Sequence, residues 1–570
     1  MAHSRFAILT RHFLRRFLDN DVISPGGDAH VGLSQVLAAF VVPGLMIVAT
    51  VLVKYSSQYR LVWNEVVDMT FDDAAVYVAL AMILFGIASA ITWDAFYLDP
   101  RDEVVLGSLP VSPRLLSAAK LASLGVFLGL FTAALNVIPV LFAPLLTILP
   151  CRQATAGQLL RLTGAQAAAS MAAGAWTALA VVALRGLLGW LLPARVFRRV
   201  GPLVQGGLVF LVLGWAVSLP PFLLTARSVW QTGGWTRDLS PPFWFLGVHR
   251  YLVGQRDAAS IVLAGHAVAA LLATAAVVVL VFLAWPARRQ FAGAPAGYVR
   301  TNRRSFASRL IRATSRWTLR GCALARASFE FTLLGLGRSA AHRLYLAAAL
   351  GAGLAWSIGS AFWAANVGGA AAVTTPTPVM LQIQPILTLL LVVAVRFAIT
   401  VPVALPASWL FRVTEGEPAS RYHTGTRRAA LAIGVLPVVV LAPAHGFMWG
   451  WSVAAYHGLV GAGYAAFIVE LLFGSQAKVP LAAPYVSGSI QLKTRWLLYL
   501  SAGSVLTAGP AALESILLRP GWPAWMLPAL FAGLAGALAL ARRRRERHYP
   551  GLVFEDLPPD AIQTLSIFES

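Results

Sequence analysis

Apolar residues along this chain gather in runs of about 20, and the short stretches between them hold nearly all the Arg, Asp and Glu. A helix of that length spans the hydrocarbon core of a bilayer. The first half of the chain offers Leu33–Val53, Ala74–Phe96, Leu121–Leu149, Ala165–Leu192, Pro202–Leu224 and Val262–Trp285. The second half offers Leu344–Trp363, Val379–Leu410, Ala430–Trp449, Val453–Phe473, Trp496–Leu517 and Trp522–Leu540. The stretch from Leu431 to Gly474 has almost no polar break, and we divide it after Trp449. No small-residue cleavage pattern follows the first run, so no cleavable signal peptide is expected. The pattern predicts an all-α fold, a polytopic transmembrane helix bundle of about twelve spans.

Composition agrees. Of 570 residues, 58% are hydrophobic and only 12% charged, about half the charged share of a soluble domain. The mean hydropathy is +0.72. With the N-terminus placed in the cytoplasm, most of the 45 Lys and Arg fall on the cytoplasmic side. The main clusters are Arg195–Arg199, Arg288 to Arg343, and Arg542–Arg547. Both termini are therefore expected in the cytoplasm, with the chain in a bacterial inner membrane. The net charge of +22 is chiefly this topology signal, and the basic segments suit anionic lipid headgroups. Nucleic acid is not an expected partner, because no recognition fold has room to form. The two cysteines, Cys151 and Cys322, fall on opposite sides of the membrane in this topology and cannot pair.

The runs divide into two similar halves. Residues 1–32 read as a cytoplasmic amphipathic lead-in, and 33–285 as the first six-span half. Residues 286–343 read as a basic cytoplasmic linker, 344–541 as the second half and 542–570 as a cytoplasmic tail. Each half opens on an amphipathic segment. In the first, Phe6, Leu9, Phe13 and Phe17 recur at helical spacing among Arg11, Arg15 and Arg16, as in a helix lying in the interface. In the second, Leu310, Ile311, Trp317 and Leu324 sit among Arg309, Arg312, Arg316 and Arg320, which reads equally as a solvated basic linker. In each half a charged cytoplasmic loop joins the second and third spans: DPRDEVVLGSLPVSPRLLSAAK at 99–120 and FRVTEGEPASRYHTGTRRAA at 411–430. Paired halves suggest a pseudo-symmetric path between them.

The loop at 99–120 carries a Leu-Pro-Val-Ser element after acidic residues, followed by a Lys that opens the next span. In Asp102, Leu106, Leu109, Pro110, Ser112 and Lys120 it resembles the cytoplasmic loop of bacterial ABC exporter permeases of the type-2 class. PVALPASWLFRVTE (402–415), KVPLAAPYVSG (478–488), LVFEDLP (552–558) and PPFWFLG (241–247) resemble the large twelve-span relatives of that class. The second loop departs from the pattern, since it lacks the Leu-Pro-Val-Ser core. The resemblance implies a permease subunit that is not itself an enzyme. A separate cytoplasmic ATPase dimer would dock on Arg101, Asp102, Glu103, Leu109, Pro110, Ser112 and Arg114, and on Glu415 and Glu417. Pro110 and Pro113 would stiffen such a contact and the charged residues would give it handles. The chain has no phosphate-binding loop of its own: its lysines are Lys54, Lys120, Lys478 and Lys493, and none follows a glycine. No cofactor is expected in this chain, the ATP being held by the partner. A homodimer is allowed but not required.

Charges inside spans mark functional or clamping positions, because an ionised group at that depth costs several kcal/mol without a partner. Arg396 falls mid-span; Glu470 and Glu514 fall near span ends. Arg396 and Glu470 are candidates for an intramembrane pathway or for a pair. His266, His445 and His457 read as scattered imidazoles without metal-ligand spacing, so no metal is expected. Two other functions stay open. A membrane glycosyltransferase-like enzyme would use Asp72 or Asp73, which with Asp68 fall in the expected first outer loop. An ion-coupled secondary transporter would need acids at mid-membrane, where these spans hold almost none. The cargo is not encoded in any motif.

Overall fold

The computed structural model describes residues 5–18, 29–56, 61–93, 95–97, 111–151, 154–284, 306–402, 411, 413, 418–476, 479–482, 492–519, 521–523 and 525–548. The described residues are helical nearly throughout, with a single isolated bridge between Leu61 and Cys151. Among them, ten helices are long and apolar enough to cross a membrane: Trp63–Ile91, Pro113–Ile148, Ala156–Leu191, Val200–Val217, Ala258–Leu283, His342–Phe362, Pro378–Ala398, Ala419–Trp449, Trp451–Phe473 and Met526–Arg547. The chain is thus a multi-pass α-helical membrane protein. The other two expected runs coincide with Ala29–Ser56, apolar over Val41–Ser56, and with Leu492–Leu517. The chain divides into two compact units, Met1–Val299 and Arg300–Ser570.

The first unit runs α1 (Arg5–Leu18), α2 (Ala29–Ser56), α3 (Trp63–Ile91), α4 (Pro113–Ile148), α5 (Ala156–Leu191), α6 (Ala194–Val217), α7 (Leu219–Thr232), α8 (Pro241–Val253) and α9 (Ala258–Ala284). Helix α3 starts eleven residues before the apolar run, because the Glu65 carboxylate accepts from the Val62 N–H (3.0 Å) and caps its first turn. Asp68, Asp72 and Asp73 therefore lie on α3 and not in an outer loop. Ser112 caps α4 by accepting from the Leu115 N–H (3.3 Å), with Pro113 as the first helical residue. Pro220 and Pro221 follow a break at Ser218, so the expected fifth span divides into α6 and α7. The aromatic segment after it folds inward. Phe243, Phe245 and Leu246 of α8 are buried with Phe71, Trp230 and Leu263, leaving Trp235 exposed. A second cluster joins Phe85, Phe96, Tyr97, Phe127, Phe131 and Phe282.

The second unit runs α10 (Phe306–Thr318), α11 (Ala323–Arg338), α12 (Ala340–Gly368), α13 (Ile383–Ala398), α14 (Ala419–Gly434), α15 (Leu436–Trp449), α16 (Trp451–Phe473), α17 (Leu492–Leu517) and α18 (Met526–His548). Its main core gathers Val392 and Val395 of α13 with Tyr464 and Ile468 of α16 and Phe531 of α18. Gly450, with φ of 87°, makes the one-residue turn between α15 and α16, a backbone conformation that suits glycine. The division of the unbroken apolar stretch falls there. Part of the basic segment is folded as α10 and α11, where Ser315 donates to Glu330 (2.7 Å).

In each unit an early helix packs against a later one. In the first, Leu9 and Phe13 of α1 are buried against Leu116 and Ala119 at the start of α4. In the second, Ala325 and Phe329 of α11 are buried against Ala429 of α14, and Ser328 donates to the Tyr422 carbonyl (2.8 Å). Lipid tails are as apolar as leucine, so close packing of small residues has to hold such helices together. Gly174 lies against the Phe85 ring, Gly353 against Leu387 and Gly425 against the backbone of Ala325 and Phe329.

Gly425→Ala is expected to force α11 and α14 apart and cost about 3 kcal/mol, read as a drop in melting temperature in detergent. Gly337→Ala on α11, where an added Cβ meets nothing, is the control and should change stability by less than about 1 kcal/mol. A second expectation concerns His249 of α8, which is fully buried. Burial, aided by the neighbouring Arg250 charge, pushes its pKa down from 6.5 to about 4. The unfolded chain then takes up this proton before the folded chain does. Stability present above pH 6.5 should be lost progressively towards pH 4, by up to about 3 kcal/mol. His249→Gln should flatten that part of the stability–pH curve; an unchanged curve would remove His249 as its cause.

Candidate functional site

Described residues flank the charged loop of the first unit on both sides. Arg101, Asp102, Glu103, Leu109 and Pro110 lie outside the described residues, as does Leu106. The residues leading into the loop do not. Trp93, Phe96 and Tyr97 are all buried. The Tyr97 hydroxyl donates to the Val182 carbonyl of α5 (2.8 Å), and its ring stacks on Phe282 of α9 with centroids 5.1 Å apart. The Arg185 guanidinium lies 4.5 Å from the Tyr97 ring and 4.7 Å from that of Phe197. Burial raises the phenol's pKa further above its ordinary value, which keeps it a donor. At the exit, Ser112 is the helix cap described above and Arg114 is exposed. One turn and a half further on, Lys120 is buried with Nζ 5.1 Å from the Phe13 ring of α1. The described residues on either side of the loop thus contact α5 and α9 before it and α1 after it.

In the second unit Glu415 and Glu417 lie outside the described residues. The helix that follows them, α14, enters an ion-pair network. Arg427 donates to Glu546 of α18 (3.1 Å) and to Thr424 (3.0 Å). Arg542 donates to Glu546 (3.0 Å) and to Glu470 of α16 (2.9 Å). This corrects one sequence expectation. Glu470 does not pair with Arg396; its partner is Arg542, which hydropathy assigns to the tail but which still lies on α18. Arg396 instead donates through Nε to the Leu472 carbonyl (3.0 Å), with its guanidinium 5.8 Å from the Phe473 ring. Both residues clamp the same end of α16.

Asp73 has both carboxylate oxygens engaged: Lys54 Nζ donates to Oδ1 (2.7 Å) and the Tyr55 hydroxyl to Oδ2 (2.8 Å). Lys54 also donates to the Met69 carbonyl (3.0 Å). Asp72 pairs with Arg227 (3.0 Å), which reaches the Asp68 carbonyl as well. These contacts tie α2 and α7 to α3.

One cluster was not legible as such in the sequence. His457 of α16 bonds through Nδ1 to both oxygens of Glu514 of α17, at 2.8 and 3.0 Å, and both side chains are 1% exposed. His445 of α15 lies beside it, ring centroids 4.9 Å apart, and stacks on Trp449 at 4.4 Å. Gln384 of α13 donates to the His457 carbonyl (3.2 Å). His445, His457 and Glu514 lie on three different helices, and the available signal was that each is a polar residue in or beside an apolar run. Among the described residues no group of His, Cys, Asp and Glu is arranged to hold a metal ion. Comparison with models of protein families, with curated proteins and with solved structures returns no match to this chain.

Tyr97→Phe should cost about 1 kcal/mol by removing one buried hydrogen bond, and Tyr97→Ala about 3–5 kcal/mol by opening a cavity at the loop root. Thermal denaturation in detergent measures both. Equal losses in the two variants would mean that the ring contributes nothing beyond the hydroxyl.

Proposed function

We propose that this chain is the membrane-spanning permease of an ATP-driven exporter of the ABC type-2 class, energised by a separate cytoplasmic ATPase dimer. The observation that carries this reading is the anchoring of the chain on both sides of residues 98–110, at the buried Tyr97 and along Ser112–Lys120. A permease without fuel of its own must receive a mechanical push at an exposed segment and pass it into several spans at once. The Tyr97 root and the Ser112–Lys120 root would deliver such a push to four helices of the first unit. The resemblance of 99–120 to type-2 permease loops supports the same reading, with Arg101, Asp102, Glu103, Leu109, Pro110, Ser112 and Arg114 as the contact and Glu415 and Glu417 as its second-half counterpart. The shared arrangement of α1 on α4 and α11 on α14 supports two related halves. With Ala29–Ser56 and Leu492–Leu517 crossing as well, each half would have about six spans and one chain would complete a permease. In this reading the chain sits in a bacterial inner membrane with both termini in the cytoplasm, and ATP binding to the partner shifts the bundle between access states.

Solubilisation in mild detergent followed by affinity purification should bring down an ATPase in stoichiometric amount. Charge reversal at Asp102 together with Glu103 should abolish that association while leaving membrane insertion intact. A folded preparation without any such partner, or purified chain that hydrolyses ATP unaided, would overturn the reading.

A further inference from the structure

Helix α10 carries two apolar faces, and only one of them is covered. On the inner face, Ile311 and, just past the helix end, Leu319 pack with Ala325 and Phe329 of α11 and with Ala429 of α14. Ser308 and Ser315 are buried on the same side, where Ser315 donates to Glu330 (2.7 Å). At about 100° per residue, Leu310, Ala313 and Trp317 fall together on the opposite side of the helix. All three are exposed, Leu310 to 58% and Trp317 to 72%. Arg309 and Arg316 line one edge of this stripe, and Arg320 follows in the turn after the helix; all three are exposed. Glu330 of α11 is turned to Ser315 and Arg312. Among the described residues, no acid pairs with Arg309, Arg316 or Arg320.

The packing sets the depth of this stripe. Helix α10 rests on α11 and α11 on α14, which opens the apolar segment Ala419–Trp449. Leu319 meets α14 at Ala429, two residues beyond Arg427. Arg427 belongs to the network with Glu546, Arg542 and Glu470, and such charges gather where a bilayer meets water. Through the single residue Ser339, α11 also runs into α12 and the apolar segment His342–Phe362. The end of α10 is therefore held at headgroup depth, with its stripe turned away from α11. A solvated linker would present polar side chains there. An indole at that depth, beside arginines and along an apolar stripe, is the make-up of a helix lying in the interface. An acidic protein surface would answer the arginines and leave the stripe uncovered. A leaflet offers phosphates and an acyl boundary together, and lipid surrounds any multi-pass membrane protein at this depth.

We propose that α10 is a docking surface for anionic phospholipid. Leu310, Ala313 and Trp317 enter the boundary between headgroups and acyl chains, and Arg309, Arg316 and Arg320 hold the lipid phosphates. The docked helix ties α11, and through it the charged end of α14, to the surface of the leaflet. The surface does not depend on the permease reading, since it needs neither an ATPase nor a known cargo.

The test is fluorine-19 nuclear magnetic resonance of the full chain in lipid nanodiscs, with its 18 tryptophans labelled as 5-fluorotryptophan. The signal missing in Trp317→Phe is that of Trp317, and Trp317→Tyr gives the same assignment should the first variant fail to fold. Two relaxing probes are compared: a phosphatidylcholine with a nitroxide near the top of its acyl chain, and a water-soluble gadolinium chelate. In discs containing phosphatidylglycerol, the nitroxide lipid should broaden the Trp317 signal more than the chelate does. That lipid broadening should weaken at least about twofold in discs of phosphatidylcholine alone, because each arginine near an anionic surface is worth about fivefold in binding. The triple variant Arg309→Gln, Arg316→Gln and Arg320→Gln should show the same weakening in phosphatidylglycerol discs. A signal broadened by the chelate and spared by the lipid would make α10 a solvated linker. A signal spared by both would mean that a protein surface covers the stripe. Lipid broadening indifferent to phosphatidylglycerol and to the arginines would mean apolar contact without recognition of anionic lipid. Each of these three results overturns the proposal. The discs hold no ATPase, so this proposal and the permease reading fail separately.

Discussion

A polar group inside a bilayer has no water to turn to, and this constraint organises the protein. Every buried charge considered above is answered by a side chain or carbonyl on another helix or turn. Lys54 and Tyr55 on α2 meet Asp73 on α3. Arg396 on α13 meets a carbonyl on α16, and Glu470 on α16 meets Arg542 on α18. Because hydrophobic burial does not favour helix–helix contact over lipid contact, such pairs fix which helices are neighbours, and small residues then let the backbones close.

Helix α16 shows the consequence most clearly. It is held at one end by the Arg396 and Arg542 contacts and at the other by the His457–Glu514 pair. The two clamps differ in kind. The first is built from arginines bonded to a carbonyl and a carboxylate, the second from a buried histidine bonded to a glutamate.

The first unit solves a different mechanical problem. Its charged loop leaves the bundle through Tyr97, which is hydrogen-bonded, stacked and flanked by a guanidinium, and re-enters at a serine-capped, proline-led helix start. The amphipathic α1 lies on the exit root with its apolar face, Leu9 and Phe13, turned to α4, and its Arg5, Arg11 and Arg15 remain exposed.

Hydropathy by itself determined that this is an all-α membrane protein and located the apolar helices, because spanning a bilayer demands a long apolar run visible to any window of that length. It also marked Arg396, Glu470 and Glu514 as unusual, since each is a charge within or near the end of such a run. It could not say whom they meet. Asp68, Asp72 and Asp73 read as loop residues because acidic side chains end an apolar run, yet the Glu65 cap extends the helix through them. Glu470 took Arg542 as its partner, and His457, His445 and Glu514 converge from three helices. Only the tertiary structure decided those pairings. A hydropathy pattern records how far each residue tolerates lipid, whereas the partner of a buried charge depends on which helices pack side by side.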